Sequence, residues 1–269
     1  MKKRIGVLPV DDIAGVGTEG LEAELGDLIA GSLAQYESVI VTPWSELEKE
    51  VEKLGLKLPL EENDVLKIGQ ARHLNALILG AITEATQQRK RTQIGNMAPF
   101  LLGKKNMTTV VMIGRVVDAH TGITLSAGTG KGEAEALEES QSQIVDSRGH
   151  SLDQAALAAS CDSAIKALSE KIIATLAASF WDGYILEVRR NQAVMLGGRD
   201  LGVLVGDGFK VFSEGENITN VVGQTFKISG PPRAALTAVE VNADTTILQI
   251  ESGEVKPGDM VRHVSSPED

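Results

Sequence analysis

Gly15-x-Gly17-x-x-Gly20 follows the apolar run RIGVLPV (4–10) and precedes a helical pattern. In that arrangement, backbone amides opening a helix can cradle a diphosphate. A dinucleotide loop also needs its first glycine directly after the strand and an acidic residue closing the second strand. Here Asp11, Asp12, Ile13 and Ala14 intervene, two of them negative where the diphosphate would lie, and the second strand ends in Thr42-Pro43-Trp44. The stretch reads better as a turn entering a helix capped by Thr18, with Glu22 in its first turn. A nucleotide-binding α/β protein using Gly15, Gly17 and Gly20 is the alternative. Gly128-Thr-Gly-Lys-Gly132 resembles a P-loop superficially, but Lys131 is followed by Gly132 instead of Ser or Thr, and the glycines fall in a strand.

Other chemistry-bearing residues have structural explanations. Asp11 and Asp12 are adjacent, so an extended chain points them in opposite directions, and as loop residues they read as solvated. Asp118 and His120 share the tight turn DAHTG, whose chemistry accounts for both. Cys161 lies on an apolar helical stripe and reads as a small core residue. One cysteine excludes an intrachain disulfide, and His73, His120, His150 and His263 are far apart in sequence; His150 and His263 read as solvated. No Gly-x-Ser-x-Gly or His-Glu-x-x-His occurs. No catalytic, cofactor-binding or metal-binding set emerges.

The elements that would position these residues divide near residue 180. Periodicity predicts a strand over 4–10, helix 18–35, strand 38–42, helices 45–54 and 62–73, and strand 74–86. This β-α-β-α-α-β order is an α/β (α+β) arrangement with a mixed sheet. The runs 108–120 and 123–134 form a hairpin at Thr121-Gly122, and 151–180 a long helix with apolar residues at 161, 165, 168, 172 and 176. Residues 1–180 thus read as one α/β domain. Residues 181–269 carry short alternating runs separated by Gly, Asn, Asp and Pro and read as a small all-β barrel or sandwich. There, VLVGDG and VKPGDM read as turns.

Charge narrows the partners. The chain has 26 basic and 37 acidic residues, a net charge of -11, and no basic tail, which argues against nucleic acid. Met-Lys-Lys-Arg resembles the start of a signal, but too few apolar residues follow before Asp11 and Asp12. The protein is therefore cytoplasmic, or a signal was removed before this numbering begins.

The residues carry a family resemblance. NALILGAITEATQ (75–87), VVMIGRVVDAHTGITLSAGTGKGEA (110–134) and the alanine-rich helix after them resemble the CsgG-like family of curli assembly and transport components. KKRIGVLPVDD and SVIVTPWSELEKEVEK are similar to that family's first two strands and following helix, so the resemblance spans residues 3–180. The tail from Gly183 to Val264 resembles the C-terminal domain of FlgT, a flagellar assembly protein. The resemblance implies a non-enzymatic lipoprotein of the periplasm, associated with the outer membrane and acting in secretion or in assembly of a surface structure. Its partners would be envelope or surface-assembly proteins, with a possible homo-oligomer and membrane association only through a trimmed lipid anchor, if any.

Curli channel subunits each donate two membrane hairpins to a shared barrel. Here the first would fall in 86–108, which contains Arg89, Lys90, Arg91, Lys104 and Lys105, and whose apolar centre, around Phe100, does not alternate and includes Pro99. A cation at the bilayer midplane costs roughly 2–4 kcal/mol, which argues against a pore. The second would fall in 133–150, which is acidic through Glu133, Glu135, Glu138 and Glu139. The segment joining first strand to first helix, which in curli channels forms the pore constriction, has neither aromatic nor asparagine here. The basic and acidic segments read as solvated loops, or as interaction segments pairing within a subunit or between neighbours.

Overall fold

The structure is a computed structural model describing residues 1–58, 60, 62–93, 102–136, 143–213, 216–219, 225–227 and 230–264. Over 62–63, 89–93, 102–105, 217–219 and 225–227 it describes the backbone alone. In chain order the first elements are β1 (Lys3–Asp12), α1 (Leu21–Leu33), β2 (Val39–Thr42), α2 (Trp44–Lys53), α3 (Glu62–Arg72), β3 (Ala76–Gln93), β4 (Leu102–Asp118) and β5 (Thr124–Ala136). Two short strands, β6 (Gln143–Val145) and β7 (Ser151–Asp153), pair with each other ahead of α4 (Gln154–Ala178). The five longer-range strands form one mixed sheet in the order β2-β1-β3-β4-β5, with β1 parallel to β2 and β3 and the last three antiparallel.

Burial explains the layers. On one face Ile5, Val7, Val10, Ile78, Val110 and Met112 pack with Leu25 and Ile29 of α1 and with the α4 stripe Cys161, Ile165, Leu168, Ile172 and Leu176. On the other, Leu8, Leu77 and Val117 meet Trp44, Leu47 and Val51 of α2 and Val65 and Ile68 of α3. Each fully buried aliphatic side chain contributes roughly 1.5–3 kcal/mol, so the two layers dominate stability.

α4 is fixed at both ends. The Asp153 carboxylate accepts a hydrogen bond from the Ala156 amide at 2.7 Å, an N-cap. At the other end the buried Lys3 ammonium donates to the Leu176 and Ser179 carbonyls, where a cation complements the helix dipole. Along its length α4 lies unusually close to β5. A β-carbon on Gly130 would stand 2.1 Å from the Ala164 carbonyl oxygen, and one on Gly132 would stand 1.8 Å from that of Ser160. Both are far inside contact distance, so the alternating glycines of GTGKG exist to let the helix backbone approach the strand.

The remaining chain closes a six-stranded barrel. Its strands are β8 (Asp182–Arg189), β9 (Gln192–Leu196), β10 (Gly208–Phe212), a separate pair β11 (Asn217–Thr219) and β12 (Thr225–Lys227), then β13 (Pro232–Val241), β14 (Thr245–Gly253) and β15 (Met260–Val264). Around the barrel the order is β10-β13-β14-β9-β8-β15. Trp181, Ile185, Met195, Phe209, Val211, Leu236, Leu248 and Val261 fill it.

Two expectations are corrected. Gly20, in a left-handed conformation at φ 79°, caps α1 without a side-chain bond, so Thr18 is not the cap. β3 and β4 run well beyond the expected strands, and what read as a solvated loop over 86–108 is strand at 86–93 and 102–108. Neither face of that extension is apolar, so no period-2 pattern exposes it in the sequence.

The glycine row gives a direct test. Gly132→Ala should lower unfolding free energy by about 1–3 kcal/mol through overpacking. Gly31→Ala, in α1 with open space around the added carbon, should be neutral or raise it by up to about 1 kcal/mol. Urea denaturation at equal m-value measures both.

Candidate functional site

The glycine loop binds an anion, and the anion is its own. The Asp12 carboxylate accepts from the amides of Gly15 at 2.8 Å, Val16 at 3.0 Å and Gly17 at 2.8 Å. Gly15 and Gly17 have φ of 73° and 72°, which curls the amides onto that carboxylate. Asp12 is therefore a loop-forming acceptor and not merely solvated. A second turn locks the loop from outside: the Ser147 amide donates to the Gly15 carbonyl at 2.8 Å and the Arg148 guanidinium to the Ala14 carbonyl at 2.8 Å. Asp146 holds that turn through the amides of Arg148 and His150 and, at 3.1 Å, the imidazole of His150, whose side chain is otherwise exposed.

The DAHTG turn is built as its sequence suggests, with the Asp118 carboxylate accepting from the His120 and Thr121 amides, each at 2.8 Å. It also does something the sequence conceals. The His120 imidazole Nδ1 lies 2.6 Å from the hydroxyl of Tyr184, on the first barrel strand. His73, held at φ 51°, places its ring 4.9 Å from the Tyr184 ring, and the His120 ring stands at 5.0 Å. One tyrosine of the barrel is thus clasped by two histidines of the sheet domain. The far nitrogen of His120, Nε2, and Nδ1 of His73 are buried without a hydrogen-bond partner among the described residues.

Around this clasp run further bonds between the sheet and the barrel. The Asn75 amide side chain donates to the Asp182 carbonyl at 2.6 Å and accepts from the Arg4 amide at 2.9 Å. The Trp181 indole donates to the Lys2 carbonyl at 2.9 Å. Asp182 takes Arg262 in a two-bond fork at 2.8 and 3.0 Å, and the guanidinium lies 4.4 Å above the exposed Phe180 ring. His263, read as solvated, is instead half-buried, edge-on to Phe209 and 3.9 Å from Asp207.

Burial shifts several of these groups from their usual titration ranges. Burial, helped by Asp162 and Glu24, pushes the Cys161 thiol up to about 11, so almost no nucleophilic thiolate forms at neutral pH. Burial and the neighbouring carboxylates of Asp118 and Asp182 push the Tyr184 hydroxyl well up. Burial holds His73 down, with Arg4 adding to the effect, and holds His120 down against the opposing pull of Asp118 and Asp182. Two clefts flank the sheet: about 410 Å³ beside Asp11, Glu22 and Arg115, and about 460 Å³ beside Leu125, Phe180 and Arg262. Among the described residues no group of three or more His, Cys, Asp or Glu could hold a metal.

Of the candidate interaction residues, Arg89, Lys90, Arg91, Lys104, Lys105, Glu133 and Glu135 lie on the neighbouring strands β3, β4 and β5. The β3–β4 register sets Arg89 opposite Asn106, Lys90 opposite Lys105 and Arg91 opposite Lys104. Glu133 and Glu135 lie on β5 opposite Thr109 and Met107, and Glu133 pairs with Lys131 at 2.9 Å. The last pair of β5, Ala136 with Asn106, shares a row with Arg89, so the basic residues begin where the acidic strand ends. Phe100, Glu138 and Glu139 lie outside the described residues.

No protein-family model and no curated protein matches the chain. Among solved structures, the chain is similar to lipoprotein GNA1162 from Neisseria meningitidis, at 16% identity and TM-score 0.37, over 66% of this chain and 99% of that one. It is also similar to the PelC dodecamer from Paraburkholderia phytofirmans, at 9% identity and TM-score 0.33, over 62% and 86%. A third is the LpoB C-terminal domain from Salmonella enterica, at 12% identity and TM-score 0.34, over 48% and 81%.

The clasp has a pH signature. His73 and His120 sit below their usual values when folded, so the stability they contribute is complete above about pH 6.5 and drains away as pH falls below it. His263 has the same sign. Melting temperature should fall as pH drops below about 6.5, and His120→Gln should flatten that slope.

Proposed function

We propose that this protein is a non-enzymatic envelope protein of the CsgG-like family, a periplasmic lipoprotein associated with the outer membrane that acts in secretion or in assembly of a surface structure. It works through its surfaces and is not itself a pore. The supporting observation is that the segments carrying the resemblance form one continuous unit. Residues 75–87 and 110–134 fold as β3, β4 and β5, with the Asp118-centred turn between the last two and the glycine row beneath α4. A FlgT-like reading of the barrel adds a second module for partner contact, joined to the sheet through Tyr184 with His120 and Asn75 with Asp182.

The chemistry left for catalysis is small. Asp12 already occupies the loop amides a nucleotide would need, and Asp118 is committed to its turn. The nucleotide-binding alternative would require displacing a carboxylate held by three amide bonds, each worth roughly 1.5–3 kcal/mol when the acceptor is charged.

Thermal shift with NAD and ATP should leave the melting temperature unchanged; a rise with either would contradict this reading. Fractionation of the native host should place the full-length product with the outer membrane. Recovery in the cytosol would contradict the compartment.

A further inference from the structure

We infer that the cleft where β1 and β3 part is a binding site for a short apolar peptide with free termini, about two or three residues long. Topology puts a cleft at this point. From β1 the chain leaves toward β2 on one side, through α1, and from β3 toward β4 on the other, so these two parallel neighbours send their connections in opposite directions. The helices follow suit, α1 packing on one face of the sheet and α2 and α3 on the other. Open α/β sheets bind their ligands at such a divergence, beyond the carboxyl ends of the strands. A bulge sits there too: the β1–β3 register shifts between Val7 and Val10, so Leu8 and Pro9 together face Leu79. The cleft encloses about 410 Å³, within the range of small-molecule sites.

The lining holds opposite charges apart over an apolar floor. Arg115 of β4 stands opposite Leu79, and Asp11 of β1 stands opposite Ala81, whose β4 partner is Ile113. Leu79 and Ala81 are two residues apart and share a face of the sheet. Arg115 and Asp11 are thus two strands and two residues apart, on the order of 12 Å between α-carbons. Glu22, in the first turn of α1, adds a second carboxylate. All three side chains are exposed, and among the described residues none of them makes an ion pair or a side-chain hydrogen bond. Leu8 and Leu79 line the space with them, and Leu58 adds an apolar side chain that is 53% exposed. A molecule with an ammonium at one end and a carboxylate at the other satisfies both sides. An extended chain spans roughly 3.3–3.6 Å per residue, so two or three residues bridge the gap once the reach of the Arg115 and Asp11 side chains is subtracted. The peptide ammonium donates to Asp11 and Glu22, its carboxylate accepts the fork of Arg115, and its apolar side chains cover the leucines. Two carboxylates beside one guanidinium disfavour a phosphate ligand.

This site goes beyond the envelope reading and does not depend on it. The test is isothermal titration calorimetry of the full chain at low salt with Leu-Leu and Leu-Ala-Leu, each with free ends, N-acetylated, or C-amidated. The free-ended peptides should bind saturably, and either cap should weaken binding at least roughly tenfold, the loss of one charge-assisted contact. Arg115→Gln should weaken the free-ended peptides by a similar factor and remove the penalty of the C-terminal amide while keeping that of the acetyl group. Asp11→Asn/Glu22→Gln should do the converse. Both variants should melt with the parent protein, since the altered side chains are exposed, and Glu48→Gln on α2 should bind as the parent does. The comparison of capped and free peptides on the unaltered protein decides the matter even if a variant melts lower. No saturable binding up to about 10 mM peptide, equal binding of capped and free peptides, or variants without effect would overturn the proposal. So would free leucine binding as tightly as the peptides, which would mark a site for a single amino acid.

Discussion

The close seat of α4 on β5 is the constraint from which the rest follows. With side chains at Gly130 and Gly132 the helix could not approach, and the stripe from Cys161 to Leu176 would stand off the sheet instead of burying against Val110 and Met112. A β-edge strand is normally a liability because its backbone groups are unpaired. Here α4 lies along it, and Lys171 donates to the Thr129 carbonyl. The same helix ends on the Lys3 ammonium, whose strand begins at the junction, so helix seating and barrel placement are mechanically one problem.

The sheet has two contrasting ends. At one, the sheet meets the barrel through the two histidines and Tyr184, the fork from Arg262 to Asp182, and Asn75 bridging Arg4 and Asp182. At the other, β3 and β4 run on as a paired ladder to Gln93 and Leu102.

Much of this architecture was legible in the sequence. The first strand and helix, the Thr121-Gly122 turn, the core stripe of α4 and the all-β tail follow from periodicity and turn residues, and structure and pattern agree on them. What stayed hidden were effects with no periodic signature. The outer β3–β4 segments, 86–93 and 102–108, are mostly polar in sequence and show no period-2 alternation. The glycines of GTGKG record the distance to a helix some thirty residues later in the chain, and spacing alone cannot show that. Asp12 looked like a loop acid until the backbone placed three amides around it. His73, His120 and Tyr184 are brought together only by the docking of two modules, so their neighbourhood was invisible in the linear order.

The central claim is that residues 86–91 and 104–109 are a paired, rigid extension of the sheet and not a solvated loop. Amide hydrogen exchange of the free protein reads this most directly. If the ribbon is formed, the amides facing across the β3–β4 pair from Thr86 to Arg91 and from Lys104 to Thr109 should exchange at least roughly tenfold more slowly than in an unstructured peptide. Exchange at the unstructured rate throughout both segments would contradict it.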